Sequence, residues 1–187
     1  MEIDEIMTFD GEPYRVVEVL HKTMYSTNQK FVSATHKRVE PRRTFYVVER
    51  DGKTYWVKEY TDPKFGYGIQ YEYDETKRLS KSVITDRGTI SAVKMLAISG
   101  KRLLVEHLEG YVKFSSMKAN KISPAVRKGL RKLLRAWVDG TDVHDYDMCG
   151  NNTMILDADG VLSVKLLDFE HSGSWNEERW NGFIQSI

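Results

Sequence analysis

The chain has 187 residues, 41% of them apolar and 29% charged, with a formal net charge of +1. That length suits one domain or two small lobes sharing a core, and the near-neutral balance gives no global drive toward nucleic acid. A single cysteine excludes an internal disulfide framework, no apolar run reaches the length of a membrane span, and the acidic start Met1-Glu2-Ile3-Asp4-Glu5 lacks the apolar stretch of a secretory signal, so a reducing, cytoplasmic setting is expected.

The first 60 residues read mainly as antiparallel sheet. Tyr14–Leu20 and the shorter Phe31–Thr35 are strands by their β-branched and aromatic content. Thr44–Arg50 and Thr54–Tyr60 flank Asp51-Gly52, a dipeptide that signals a hairpin between two such runs, with Lys53 either in the loop or in the strand. Pro63 and the glycines of Phe65-Gly66-Tyr67-Gly68 break the pattern. A helix is expected from about Tyr71 to Ile84, with Glu75, Leu79 and Val83 on one face, ending at Gly88. Two apolar strands follow, Ile90–Ile98 and Arg102–His107, around Ser99-Gly100.

Ser123-Pro124 opens the next helix as a cap followed by a proline at its first position. Val126, Leu130, Leu133, Leu134 and Trp137 form its apolar stripe, with Arg127, Lys128, Arg131, Lys132 and Arg135 on the other side and Gly140 at its end. Thr153–Leu156 and Val161–Leu167 are short strands around the turn Asp157-Ala158-Asp159-Gly160, which lacks the ligand pattern of a calcium loop. The tail from Asn176 to Ile187 has room for one short helix.

Two acidic segments carry the chemistry. Asp147-Met148-Cys149-Gly150-Asn151-Asn152 puts an Asp and an Asn five residues apart in a glycine-containing loop. Leu166-Leu167-Asp168-Phe169-Glu170 puts a second Asp where an apolar strand should stop. Hard oxygen donors of this kind suit Mg²⁺ and a phosphorylated ligand. Cys149 has no base motif beside it and reads as filling space, and His107 and His144 have too few Cys or His neighbours for a zinc site.

Taken in order, these segments resemble the protein-kinase-like superfamily, which includes small-molecule kinases. Tyr55-Trp56-Val57-Lys58 resembles the strand carrying the phosphate-binding lysine, and Glu75-Thr76-Lys77-Arg78-Leu79 resembles the helix whose glutamate pairs with it. Leu103 to Gly110 resembles the strand entering the hinge, Asp147 to Asn152 the catalytic loop D-x-x-x-x-N, and Asp168-Phe169-Glu170 the metal-binding triplet in the D-F-E form of aminoglycoside- and choline-kinase-like proteins. The resemblance covers roughly residues 13 to 175.

It implies an α+β, two-lobed kinase-like fold, with an antiparallel-sheet N-lobe over about residues 10–108 and a reduced helical C-lobe over about 109–187. It implies ATP and Mg²⁺ as cofactors and a hydroxyl-bearing protein or small molecule as acceptor. Lys58 would hold the α- and β-phosphates and Glu75 would orient it; Asp147 would receive the acceptor's proton; Asn152 and Asp168 would hold the metal. Asp145 competes with Asp147 as the base, and Asn151 with Asn152 as the ligand; the five-residue spacing favours Asp147 and Asn152.

The sequence departs from the family pattern in three places. No G-x-G-x-x-G precedes Lys58, since Lys22 to Arg43 contains no glycine. Asp145-Tyr146 stands where a histidine-arginine pair usually precedes the catalytic aspartate. Ile187 comes 17 residues after Glu170, so the chain reads as a minimal kinase core, a degenerate binder, or a chain needing a protein partner to complete the C-lobe. These departures leave two further functions open: a noncatalytic kinase-like module binding nucleotide or protein, and a nucleic-acid module using the basic helix with Lys37-Arg38, Arg42-Arg43 and Tyr67, Tyr71 and Tyr73, which the balanced charge disfavours.

Overall fold

The structure, a computed structural model, describes residues 1–20, 43–61, 68–117, 122–141, 150–169 and 177–187. The strand expected at Phe31–Thr35 lies outside them. The chain forms two compact units, Met1–Ile69 with Leu96–His107, and Gln70–Met95 with Leu108–Ile187.

The first unit is a six-stranded sheet. Its strands are β1 (Ile6–Phe9), β2 (Glu12–Leu20), β3 (Arg43–Arg50), β4 (Lys53–Tyr60), β7 (Met95–Ser99, only its first residue counted with the other unit) and β8 (Arg102–Glu106), in the order β1-β2-β3-β4-β8-β7. Arg50 pairs with Lys53, so the β3–β4 turn is the two residues Asp51-Gly52, both at positive φ (53° and 72°). Two left-handed residues in a row match the twist of the strands they join. Asp10-Gly11 repeats the device between β1 and β2, with φ of 50° and 81°, and the sequence reading passed over it. A bulge between Val16 and Glu18 shifts the β2–β3 register and increases the local twist. Met7, Phe9, Tyr14, Val16, Tyr46, Val48, Val57, Ala97 and Leu104 form this unit's core.

The second unit holds a five-stranded mixed sheet, ordered β5-β6-β11-β10-β9. Its strands are β5 (Val83–Thr85), β6 (Gly88–Ala92), β9 (Val112–Lys113), β10 (Thr153–Ala158) and β11 (Val161–Leu166), with β6 and β11 parallel. Helices α2 (Pro124–Gly140) and α3 (Glu177–Ser186) belong to this unit, as does α1 (Gly68–Arg78) from Gln70 onward. The Ser123 hydroxyl accepts from the Val126 amide, and all five expected stripe residues of α2 are buried in the core with Ile90, Leu162, Val164, Leu166 and Phe169. Asp157-Ala158-Asp159-Gly160 is a strand turn: Ala158 pairs with Val161, and the Gly160 amide donates to Asp157 Oδ1 at 2.9 Å.

Two expectations are corrected. The helix read to Ile84 ends at Arg78, and Val83-Ile84-Thr85 turns through Asp86-Arg87 to pair with Gly88–Ile90. Lys77 and Arg78 complement the negative helix end, the Ser80 hydroxyl donates to the Lys77 carbonyl, and the β-branched run beyond prefers extended backbone. The run Ile90–Ile98 is two strands in two sheets. The break falls at Val93-Lys94, just after the Val93 amide makes the last bond of the β6–β11 ladder by donating to the Leu166 carbonyl at 2.8 Å.

Candidate functional site

Lys58 lies in β4, which is hydrogen-bonded to β3 on one side and β8 on the other. Side chains alternate along a strand, so Val57 enters the unit's core and Trp56, Lys58 and Tyr60 project from the opposite face. Lys58 is nonetheless only 6% exposed. Its Nζ lies 5.1 Å from the centroid of the Tyr60 ring, and the Arg43 guanidinium lies 5.6 Å from the same centroid. An electron-rich ring face attracts both cations, but a buried ammonium also needs an anionic partner or ligand. On the core face, Glu59 receives Arg102 at 2.8 Å and the Tyr46 hydroxyl at 2.6 Å. Burial, and then the bond to Glu59, push the Tyr46 phenol up to about 12.

Helix α1 carries two glutamates of different standing. Its buried face is Ile69, Glu72 and Thr76, continued by Leu79 just past its end, with Glu72 only 1% exposed. Glu75, the residue expected to serve Lys58, lies off that face, and both its oxygens are engaged by Arg78: Nε donates to Oε2 at 2.9 Å and Nη2 to Oε1 at 2.5 Å. The spacing Ile69, Glu72, Thr76, Leu79 sets Glu72 between apolar positions on one helix face. Among the described residues, Lys58 and Glu72 are the charged side chains that are buried.

Asn152 and Asp168 flank one hairpin. Thr153 opens β10 opposite Leu166, the last residue of β11, so Asn152 precedes the ladder and Asp168 follows it. The Leu167 amide extends the pairing by one bond, donating to the Asn152 carbonyl at 2.8 Å. Asp168 takes a left-handed conformation, φ 69°, which an aspartate tolerates better than a bulky residue. Next to it, Phe169 is fully buried and its ring lies 6.1 Å from that of Trp137. That anchor fixes where the chain leaves β11, while Asp168 itself is half-buried.

The loop residues just before Asn152 are clamped. The Ser115 amide donates to the Gly150 carbonyl at 3.0 Å, and the Ser115 hydroxyl donates to Asn151 Oδ1 at 2.6 Å. A Cβ on Gly150 would sit 3.2 Å from both Phe114 Cδ1 and Ser115 N, so this contact is closest with glycine. Asn151 thus spends its side-chain carbonyl on Ser115. Asp145 and Asp147 lie outside the described residues. Among the described residues, no three His, Cys, Asp or Glu side chains cluster as a protein-only metal cage. One carboxylate and one amide oxygen at the mouth of a hairpin fit the way Mg²⁺ is commonly held, with few protein ligands and the rest from water and phosphate.

No family model matches the sequence, and no curated protein matches it. Solved structures do. A double mutant of the PknI kinase domain of Mycobacterium tuberculosis aligns over 90% of this chain with a TM-score of 0.50 at 16% identity. A second PknI kinase-domain structure aligns over 89% with a TM-score of 0.48 at 16% identity. The chain spans 62% of the length of either domain. The first match, with the curled antiparallel sheet and few helices, shows an α+β protein-kinase-like fold. Among the described residues, no helix is long and apolar enough to cross a membrane.

Proposed function

We propose that the chain is an ATP-dependent phosphotransferase that moves the γ-phosphoryl group to a hydroxyl of a protein or small molecule. The observation that carries this reading is the Leu167–Asn152 bond, which ties the start of β10 to the exit of β11 and so brings the Asn152 and Asp168 positions to one end of a hairpin. In this assignment Asn152 gives a neutral oxygen ligand and Asp168 a charged one. When bound, Mg²⁺ would offset negative charge on the β- and γ-phosphates. Lys58 contacts the α- and β-phosphates, and its burial among Tyr60 and Leu103 strengthens that attraction relative to water. Asp147 orients the acceptor hydroxyl and receives its proton.

Glu75 is assigned to orient Lys58, and in the structure both its carboxylate oxygens are engaged by Arg78; Glu72 is the buried acid of the same helix.

The noncatalytic reading rests on the glycine-free stretch Lys22 to Arg43, where a phosphate-covering loop would be expected. Calorimetric titration of Mg²⁺-ATP into the wild type and into Asp168→Ala tests the proposal. Binding in the wild type that weakens about tenfold or more in the variant supports it. No binding in the folded wild type sinks both the catalytic and the nucleotide-binding readings.

A further inference from the structure

Away from its core stripe, α2 carries Arg127, Lys128, Arg131, Lys132 and Arg135. A cationic helix face needs no ligand to explain it. Two observations set one stretch apart. The first is shape: Arg131, Lys132 and Arg135 of α2, with Gln185 of α3, line an open depression of about 520 Å³. The α3 wall is held in place. Arg127 donates to the carbonyl of Ile187, which is buried in the core, and Phe183 meets Phe114 edge-on with centroids 6.1 Å apart.

The second observation is charge. Lys132 Nζ lies 2.6 Å from Asp86 Oδ1, so its charge is largely answered. Arg131 and Arg135 have no ion-pair partner among the described residues. They are four residues apart and therefore neighbours on one helix face. Each guanidinium is a planar fork matched to two oxygens of a phosphate. Two such charges balance the charge of about −2 on a phosphomonoester near neutral pH. Gln185 adds an amide with both donor and acceptor.

Openness indicates what the phosphate is attached to. Sites for free small ligands enclose most of the ligand surface, which this depression does not. It suits a phosphoryl group projecting from a chain that lies outside. Single-stranded nucleic acid fits less well, because a phosphodiester carries one negative charge against the two arginines and no aromatic side chain among the described residues lines the depression to stack a base. We propose that the Arg131–Arg135–Gln185 groove docks a phosphoserine- or phosphothreonine-bearing peptide segment of a partner protein. This site stands apart from the phosphotransfer reading and survives its failure.

The test is fluorescence anisotropy with a degenerate peptide library centred on phosphoserine, its unphosphorylated counterpart, and a single-stranded oligouridine. The wild type should bind the phosphorylated library alone. Arg131→Gln and Arg135→Gln should each weaken binding about tenfold or more, as expected for a lost charge-assisted fork. Lys128→Gln, on the same helix and outside the groove, should stay within about twofold of wild type. Both arginines are exposed, so circular dichroism should be unchanged. Arg131→Lys keeps the charge without the fork and should fall between wild type and Arg131→Gln. Equal binding of the two libraries, wild-type binding by both glutamine variants, or tighter binding of oligouridine would each overturn the proposal. So would inorganic phosphate that competes as well, mole for mole, as the phosphorylated library.

Discussion

Arg78 holds both oxygens of Glu75, at 2.9 and 2.5 Å, one helical turn from the buried Glu72. The two glutamates of the helix thus differ in burial and in partner. Glu72→Gln should lower stability by about 1–3 kcal/mol, because it changes an acid that is only 1% exposed. Glu75→Gln should cost under about 1 kcal/mol, because its partner Arg78 is 43% exposed to solvent. Urea denaturation on both variants decides it; the reverse ranking would contradict this.

Gly88 should tolerate no side chain. Its φ is +133°, and a Cβ there would lie 1.8 Å from the carbonyl oxygen of Leu162, its parallel partner across β6 and β11. The obstacle is backbone, which cannot swing aside. Gly88→Ala should cost more than about 3 kcal/mol, read as a fall in the urea midpoint. Gly160→Ala, where nothing lies within 4 Å, should cost much less. Equal losses would mean that backbone strain and not the clash governs both.

Phe169 anchors the residue that precedes it. Phe169→Ala should cost about 3–5 kcal/mol from the buried cavity opposite Trp137. Asp168→Ala should leave the fold largely intact, because Asp168 is half-buried and lies beyond the β11 ladder. Mg²⁺ dependence should then be lost in Asp168→Ala at unchanged denaturation midpoint. Retained Mg²⁺ dependence would remove Asp168 from the metal site.

Tyr46 predicts an alkaline limb in stability. Its phenol is raised from the usual 10 to about 12, first by burial and then by its bond to Glu59. A raised folded value means the folded state holds the proton more tightly than the unfolded chain does. The contribution is therefore complete below pH 10 and is lost as pH climbs through about 12. Urea midpoints measured across that window should fall more steeply for wild type than for Tyr46→Phe. Parallel curves would show that Tyr46 is not the group responsible.

Strong local signals carried into the structure. Asp51-Gly52 made its two-residue hairpin, and Ser123-Pro124 capped a helix whose five stripe residues are all buried. Where the sequence misled, tertiary context decided. Ile90–Ile98 is one apolar run, yet its halves are buried in different sheets, and nothing local announces that Val93 bonds Leu166. Val83 kept helical spacing with Leu79, but pairing with Ile90 outweighed periodicity. For the candidate site, the placing of Asn152 and Asp168 at one hairpin end follows from strand register, whereas the burial of Glu72 and the pairing of Glu75 with Arg78 do not follow from local spacing.

The most direct measurement is transfer of labelled γ-phosphate from Mg²⁺-ATP to extract fractions and to water, with the wild type beside Asp147→Asn and Asp145→Asn. The substitutions keep size and remove charge, so they separate proton acceptance from packing. Wild-type transfer that drops about 100-fold or more in Asp147→Asn, with ATP affinity changed less than about threefold, is the predicted result. Full transfer in Asp147→Asn beside a dead Asp145→Asn would put the proton on the other aspartate. Mg²⁺-ATP binding by the wild type with no transfer to any acceptor would contradict the catalytic account and leave a nucleotide-binding module.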